Sequence, residues 1–139
     1  MGRRVAWVTL ALVGTLLLGS GAVVGWRWYE RERERREAVA RYIRETERFS
    51  TPEIQAILPY ANPRAITQTY HLLLEITPPP EMQEAHENLL EGYRFVFAGQ
   101  KMILQAGTDG VVRAEGQFMV EWGLSRVGEH HRLLQEWRR

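Results

Sequence analysis

The sequence contains no cysteine, and this absence excludes several kinds of site at once. Without thiols there is no disulfide, no thiolate metal site and no cysteine for a lipid to modify. Stability must then come from a packed core, and residues 27–139 suffice for one small domain and not two. The lack of cysteine is compatible with either side of a membrane.

An excess of either charge is also missing. Residues 27–139 carry 17 acidic and 16 basic side chains, and Lys101 is the only lysine in the chain. Affinity for nucleic acid depends on neutralising phosphates, so a nearly neutral domain gives no reason to expect such a partner. We attribute the preference for arginine over lysine to genome composition.

Motifs of catalysis are absent as well. There is no glycine-rich phosphate loop or dinucleotide fingerprint, and the three serines stand in no nucleophile motif. A di-iron bundle site needs Glu-x-x-His, but non-acidic residues precede the four histidines at that spacing: Gln68, Gln83, Val127 and Gly128. We therefore predict no enzyme, no cofactor and no metal. His86 lies on an apolar helix face, where we expect it to bond the preceding connection.

One stretch lacks charge altogether, from Val5 to Trp26. Its 22 residues exceed the roughly 20 needed to cross a bilayer as a helix, and aromatic residues stand at both ends. Gly21 and Gly25 form a G-x-x-x-G pair that would permit close helix contact. We predict a single retained transmembrane helix in the cell membrane; a cleaved signal peptide, with small residues at 20–22, is the alternative.

The orientation of this anchor rests on two opposing observations. Arg3, Arg4 and the free amine favour a cytoplasmic N-terminus, whereas five arginines within residues 27–36 favour the reverse. The N-terminal segment is short and resembles a secretory signal. We therefore expect residues 1–26 to form a cytoplasmic tip and anchor, followed by an extracytoplasmic domain.

Residues 27–139 contain no convincing strand, so the predicted fold class is all-α. Alternating arginine and glutamate predict a charged helical stalk over residues 27–37. Residues 38–139 then form a bundle of three to four helices. Thr51-Pro52 and Asn62-Pro63 are helix starts.

Two long helices follow the triple proline at 78–80 and meet at a turn over 107–110. The first has one apolar face from Met82 to Leu104, and the second extends from about Val111 to Trp137. We predict that the inward side chains of the second include Phe118, Trp122 and Trp137. The predicted core is Tyr42, Ile43, Leu73, Leu89, Tyr93, Val96, Phe118 and Trp122.

Glycines recur seven residues apart in both long helices: Gly92 and Gly99, then Gly116 and Gly123. A seven-residue spacing returns to nearly the same helix face. The residue numbers of Gly99 and Gly116 sum to 215, and so do those of Gly92 and Gly123. Two helices that fold back at the turn therefore place Gly99 opposite Gly116 and Gly92 opposite Gly123. We predict close backbone packing at these two levels.

The stretch from Tyr70 to Trp137 resembles a known kind of bacterial domain. It reads HLLLEITPPPEMQEAHENLLEGYRFVFAG and then AGTDGVVRAEGQFMVEWGL. This pattern is similar to the helical extracytoplasmic domain of unknown function that follows lipoprotein signals or single anchors in high-GC bacteria. The resemblance implies a location and a fold, and no activity. The present chain departs from it in lacking the lipid-modified cysteine.

Two functional hypotheses remain. The first is a non-enzymatic interaction subunit, anchored in the membrane and docked on a membrane-protein complex or on itself, with Trp122, Trp137 and Phe95 in an apolar surface patch. The second is a helical module that binds a small apolar ligand between its helices. Its predicted lining is Tyr70, Tyr93, Phe97 and Phe118. The first is our preferred interpretation.

Overall fold

The computed structural model describes residues 25–139, and every regular element among them is helical, as predicted. The α-helices are α1 (25–46), α2 (Pro52–Ile57), α3 (Pro63–Leu74), α4 (Gln83–Gln105) and α5 (Gly110–Trp137). Short 3₁₀ turns occupy Glu47–Phe49, Leu58–Tyr60 and Pro80–Met82. The described residues divide into two compact units, of which the first ends at Ala38 and the second comprises Val39–Arg139.

The predicted anchor, including Gly21, lies outside the described residues except for Gly25 and Trp26. Within residues 25–139, none of the helices combines the length and the apolar composition that a bilayer crossing needs.

The described part of the first unit is a charged helix. Arg33 contacts Glu37 at 2.7 Å and Arg36 contacts Glu32 at 2.9 Å, each pair one helical turn apart. Both arginines are mostly exposed, so these pairs contribute little to stability. Upstream of them, three aromatic side chains are exposed: Trp26, Trp28 and Tyr29.

Short polar side chains set where the helices of the second unit begin. The Thr51 hydroxyl accepts from the Ile54 amide at 3.3 Å, and the Asn62 side chain accepts from the Arg64 amide at 2.8 Å. Each is followed by a proline, which needs no hydrogen-bond partner at the first helical position. Both predicted helix starts are confirmed. The Asp109 carboxylate caps α5 in the same way, accepting from two amides.

Helices α4 and α5 form an antiparallel hairpin whose backbones are in contact at two levels. A methyl group added to Gly92 would lie 2.8 Å from the Gly123 carbonyl oxygen, and one on Gly123 would lie 2.6 Å from that of Gly92. Gly99 and Gly116 face each other likewise. No real Cβ tolerates such distances to backbone, so these levels require glycine.

The buried face of α5 differs from the prediction. Its buried residues are Gly116, Val120, Gly123, Val127, His130 and Leu134. The predicted core residues Phe118 and Trp122 are 66% and 44% exposed, and Trp137 is 43% exposed. Two residues along a helix turn by roughly 200°, so Gly116 and Phe118 cannot both face α4. Backbone contact at the glycines therefore directs the aromatic rings outward.

The apolar core surrounds the hairpin. One cluster joins α3 to the hairpin: Leu58, Ile66, Leu73, Leu89, Tyr93, Val96 and Val127. A second cluster joins the end of α1 to it: Val39, Tyr42, Ile43, Met82, Ala85 and Leu134. The other six residues of the predicted core are buried in these clusters.

The close packing predicts an unusual response to alanine. In an exposed helix Gly→Ala stabilises by up to about 1 kcal/mol, but Gly99→Ala would press a methyl group onto the Gly116 carbonyl and the Val120 amide. We expect Gly99→Ala to lower the free energy of unfolding by roughly 1–3 kcal/mol in chemical denaturation. Gly110, in the same hairpin, has open space around it and is the matched control. Equal or greater stability of Gly99→Ala would contradict the backbone contact.

Candidate functional site

A chain of polar side chains crosses the interior of the second unit. The Tyr42 hydroxyl from α1 lies 3.2 Å from His86 Nδ1 on α4 and 3.4 Å from His130 Nε2 on α5. The other ring nitrogen of His130 lies 2.7 Å from Ser50 Oγ, in the connection after α1. All four residues are buried. We call this group the polar network; it joins three helices and a loop.

One assignment of hydrogens uses every contact once. Ser50 donates to the Glu47 carbonyl at 3.4 Å, so its oxygen is free to accept from His130 Nδ1–H. His130 Nε2 then accepts the Tyr42 proton, and the Tyr42 oxygen accepts from His86 Nδ1–H. The polar network is thus a one-directional series that ends on backbone.

Burial holds the members of the polar network uncharged. It lowers the pKa of His130 from 6.5 to about 3, with His86 and His131 adding to the effect. It also lowers the pKa of His86 and raises that of Tyr42. A neutral series of hydrogen bonds positions helices without the cost of a buried charge.

The contact between Ser50 and His130 has the distance of a nucleophile beside its base. Both residues are fully buried, however, so a substrate has no access to the hydroxyl. The far nitrogen of the imidazole also meets a tyrosine rather than a carboxylate. We interpret the pair as part of the polar network and not as a catalytic site.

His86 is buried on the predicted helix face, but it bonds Tyr42 and not, as we expected, the preceding connection. The pattern of the sequence predicts no role for His130 or Ser50. A usable signal existed for His130, because Gly116, Gly123 and His130 are each seven residues apart and so share one face. No comparable signal marks Ser50.

The outward side of the hairpin carries a cluster of large apolar side chains. Phe95 of α4 and three residues of α5, Phe118, Met119 and Trp122, line a shallow hollow of about 200 Å³. The Phe118 and Trp122 rings stack with their centroids 6.5 Å apart and their planes 22° apart. We call these four residues the aromatic face.

An arginine holds the aromatic face in place. The Arg126 guanidinium lies 5.1 Å from the Trp122 ring centre, in cation–π contact. The same side chain donates to Asn88 Oδ1 at 2.9 Å and lies 3.5 Å from Glu91 Oε2. These contacts restrict the orientation of the Trp122 ring although the ring is partly exposed.

The structure brings some predicted site residues together and leaves others apart. Trp122 belongs to the aromatic face, but Trp137 does not line it. Gly25 has open space around it in the described residues. Of the residues predicted to line a ligand cavity, Tyr93 borders a groove of about 480 Å³ beside α2 and α3, whereas Phe118 belongs to the aromatic face.

No family model, curated protein or solved structure matches this chain. The resemblance over Tyr70–Trp137 to exported helical domains stays a prediction.

The neutral polar network predicts acid sensitivity. Since burial lowers the pKa of His130 to about 3 from 6.5, the unfolded chain binds the proton more tightly than the folded one. The contribution of neutral His130 to the free energy of unfolding should be fully present above pH 6.5 and should be lost as the pH falls towards 3. The free energy of unfolding should decrease by at most about 1.4 kcal/mol per pH unit for this proton.

Denaturation at stepped pH values measures that slope. Replacing His130 by Gln lowers stability overall but should flatten the dependence between pH 6.5 and 4, whereas exposed His71→Gln should leave it unchanged. An unaltered slope in the His130 variant would mean that other groups, such as Glu129, account for the acid sensitivity.

Proposed function

We propose that the protein is a non-enzymatic interaction subunit, anchored in the cell membrane by one helix, with an extracytoplasmic helical bundle that docks on a membrane-protein partner. The observation that carries this proposal is the aromatic face, an ordered apolar surface on the outside of the hairpin. Tryptophan, phenylalanine, methionine and arginine are the residues that protein interfaces favour.

The energetics of the aromatic face support the proposal. An apolar ring left in water forgoes roughly 1.5–3 kcal/mol that burial would supply. Phe118 remains 66% exposed beside Trp122, although a polar residue at this position would keep α5 soluble without affecting the glycine contacts. Exposed apolar side chains grouped around a hollow are typical of a docking site rather than of a solvated surface.

The location is proposed from the sequence. The uncharged run Val5–Trp26 is long enough for a bilayer, and the exposed Trp26, Trp28 and Tyr29 stand where a membrane surface would meet it. An N-in, C-out orientation then places the bundle outside the cell. The charged helix after the anchor suits a water-exposed connection.

Fractionation tests the anchor and the orientation. We expect the protein to remain in the membrane pellet after a carbonate wash. The alkaline wash releases proteins that are bound by electrostatic contacts, but it does not extract an apolar helix from the bilayer. A protease that cannot enter intact spheroplasts should remove the bundle. Release into the wash, or a mature N-terminus at Val23, would indicate a cleaved signal instead; full protection from the protease would reverse the orientation.

Site-specific cross-linking tests the aromatic face. A photo-reactive phenylalanine analogue at position 118 of the full chain should cross-link to a partner in intact cells, whereas one at exposed Gln117 should not. These positions are adjacent in sequence but differ by about 100° around the helix. The partner band should disappear when Trp122→Ala is added, because the ring beside position 118 is then lost.

Each outcome of that experiment is informative. A cross-link between two differently tagged copies of this chain would identify self-association as the mode of docking. Equal cross-linking at 117 and 118, or a band that persists with Trp122→Ala, would exclude the aromatic face as the interface. Both positions are exposed, so neither substitution should unfold the bundle.

A further inference from the structure

A groove lies between α2 and α3 and has a volume of about 480 Å³. Residues of α2, of α3 and of the 3₁₀ turn after α1 line it, and Tyr93 of α4 lines it as well. We call it the Arg48 groove, after the only charged residue that lines it among residues 25–139. It shares no lining residue with the aromatic face, and the inference below does not depend on the proposed function.

Both the floor and the walls of the Arg48 groove are apolar. Its floor includes Leu58, Ile66 and Tyr93, which are at most 4% exposed. Ile57 on α2 and Leu72 on α3 form the walls and are 59% and 53% exposed. Large aliphatic side chains on both walls are thus open to water, and an apolar occupant would gain affinity by covering them.

The polar atoms of the floor are already bonded within the chain. The Tyr93 hydroxyl donates to the Phe49 carbonyl oxygen at 2.9 Å, and the Leu58 carbonyl oxygen accepts from the Ala61 amide and from Gln100. Burial raises the pKa of Tyr93 to about 12, so its hydroxyl stays neutral. The floor therefore offers an occupant apolar contact and no charge.

The one charge of the groove stands at its edge. Arg48 is exposed, and its guanidinium carbon lies 4.7 Å from the centre of the Phe49 ring, which also lines the groove. Contact over a ring engages the face of the guanidinium and leaves the N–H groups along its edge free. Within residues 25–139, Arg48 forms no ion pair and no carboxylate lines the groove. An anionic group at this edge would meet a cation that the chain has not neutralised.

We infer that the Arg48 groove binds a medium-chain fatty acid, with the alkyl chain between α2 and α3 and the carboxylate on the Arg48 guanidinium. The two groups match, because a guanidinium can form two parallel hydrogen bonds to a carboxylate. An alkyl chain suits the walls better than a ring system does, because their exposed side chains are aliphatic. An apolar site with one oriented polar group is the usual form of a small-molecule site.

The length of the groove sets the length of the chain. The wall on α3 extends from Ala65 to Leu72, a rise of roughly 10 Å. An extended chain advances by roughly 1.2 Å per single bond, so on the order of ten carbons match this wall. Decanoate is therefore the probe of choice, and 1-decanol is its uncharged counterpart.

Selective methyl labelling makes the groove visible in solution. The sequence has six isoleucines, of which Ile54, Ile57 and Ile66 line the groove and Ile43, Ile76 and Ile103 do not. Their δ1 methyl groups are labelled with ¹³C in the full chain, held in micelles of a steroid detergent that has no alkyl chain. Decanoate at neutral pH should shift the three groove signals and leave the other three in place.

Replacing Arg48 tests the position of the carboxylate. Arg48→Gln should weaken decanoate about threefold, as expected for an exposed ion pair, and should leave 1-decanol unchanged. Comparing the wild type and the variant with the same probe cancels the partitioning of that probe into the micelle. Arg44→Gln, at an exposed arginine one helical turn earlier and outside the groove, is the matched control and should alter neither affinity.

A second pair of variants tests the position of the alkyl chain. Ala65→Phe places a ring in the groove and should weaken decanoate and 1-decanol alike. Ala56→Phe, on α2 and outside the groove, is the control and should leave both affinities unchanged. Both alanines are exposed, so neither substitution should unfold the bundle. Octanoate, two methylenes shorter, should bind the wild type at least about fivefold more weakly than decanoate.

Three results would overturn the inference. The first is that decanoate up to about 5 mM shifts the groove methyl groups no more than the others, because millimolar affinity is the least that such a ligand should show. The second is that Arg48→Gln weakens decanoate no more than Arg44→Gln does, or weakens 1-decanol equally. The third is binding that Ala65→Phe leaves unchanged, because the probe would then lie in the micelle or elsewhere on the bundle.

Discussion

The contact of two helix backbones at Gly99–Gly116 and Gly92–Gly123 is the constraint on which the bundle depends. At each level the carbonyl oxygen of one glycine faces the Cα of the other, an arrangement suited to weak Cα–H···O bonds. Val96 of α4 and Val120 of α5 lie between these levels and Val127 of α5 lies just beyond them, and each packs against a glycine of the opposing helix. Every other surface of the hairpin is defined by this choice of face, including the outward direction of the aromatic rings.

The contacts at these glycines involve backbone atoms, and this limits which substitutions the α4–α5 interface can accept during evolution. A side-chain core can drift, because a larger residue on one helix is compensated by a smaller one on the other. A methyl group at Gly123 would meet the Gly92 carbonyl oxygen, which no substitution can remove. The glycines therefore cannot be exchanged in compensating pairs, whereas the outward-facing Phe118 and Trp122 can change in size without disturbing the backbone contact.

The parts of this fold that were predictable from sequence are those governed by local chemistry or by simple spacing. Thr51 and Asn62 are predictable helix starts because each stands before a proline. The hairpin is predictable because the residue numbers of the two opposing glycine pairs have the same sum, centred on the turn over 107–110. The buried face of α5 was not identified, because hydropathy favours Phe118 over Gly116 although only glycine permits the approach. The predicted glycine contact and the predicted burial of Phe118 were incompatible on one helix. The polar network was predictable only in part: the seven-residue spacing from Gly123 places His130 on the buried face of α5, but no periodicity relates Ser50 to a histidine eighty residues away.

The hydrogen bonds of the polar network form only when α1 is correctly aligned with the hairpin. Apolar contacts between α1 and the hairpin change little in energy if α1 slides or rotates by one residue, because one aliphatic side chain can replace another. A rotation of that size would swing the Tyr42 hydroxyl by about 100° and leave ring nitrogens of His86 and His130 buried without partners. Alternative packings that bury the same area are thereby penalised. The network thus favours the observed alignment of α1 over others that would bury a similar apolar area.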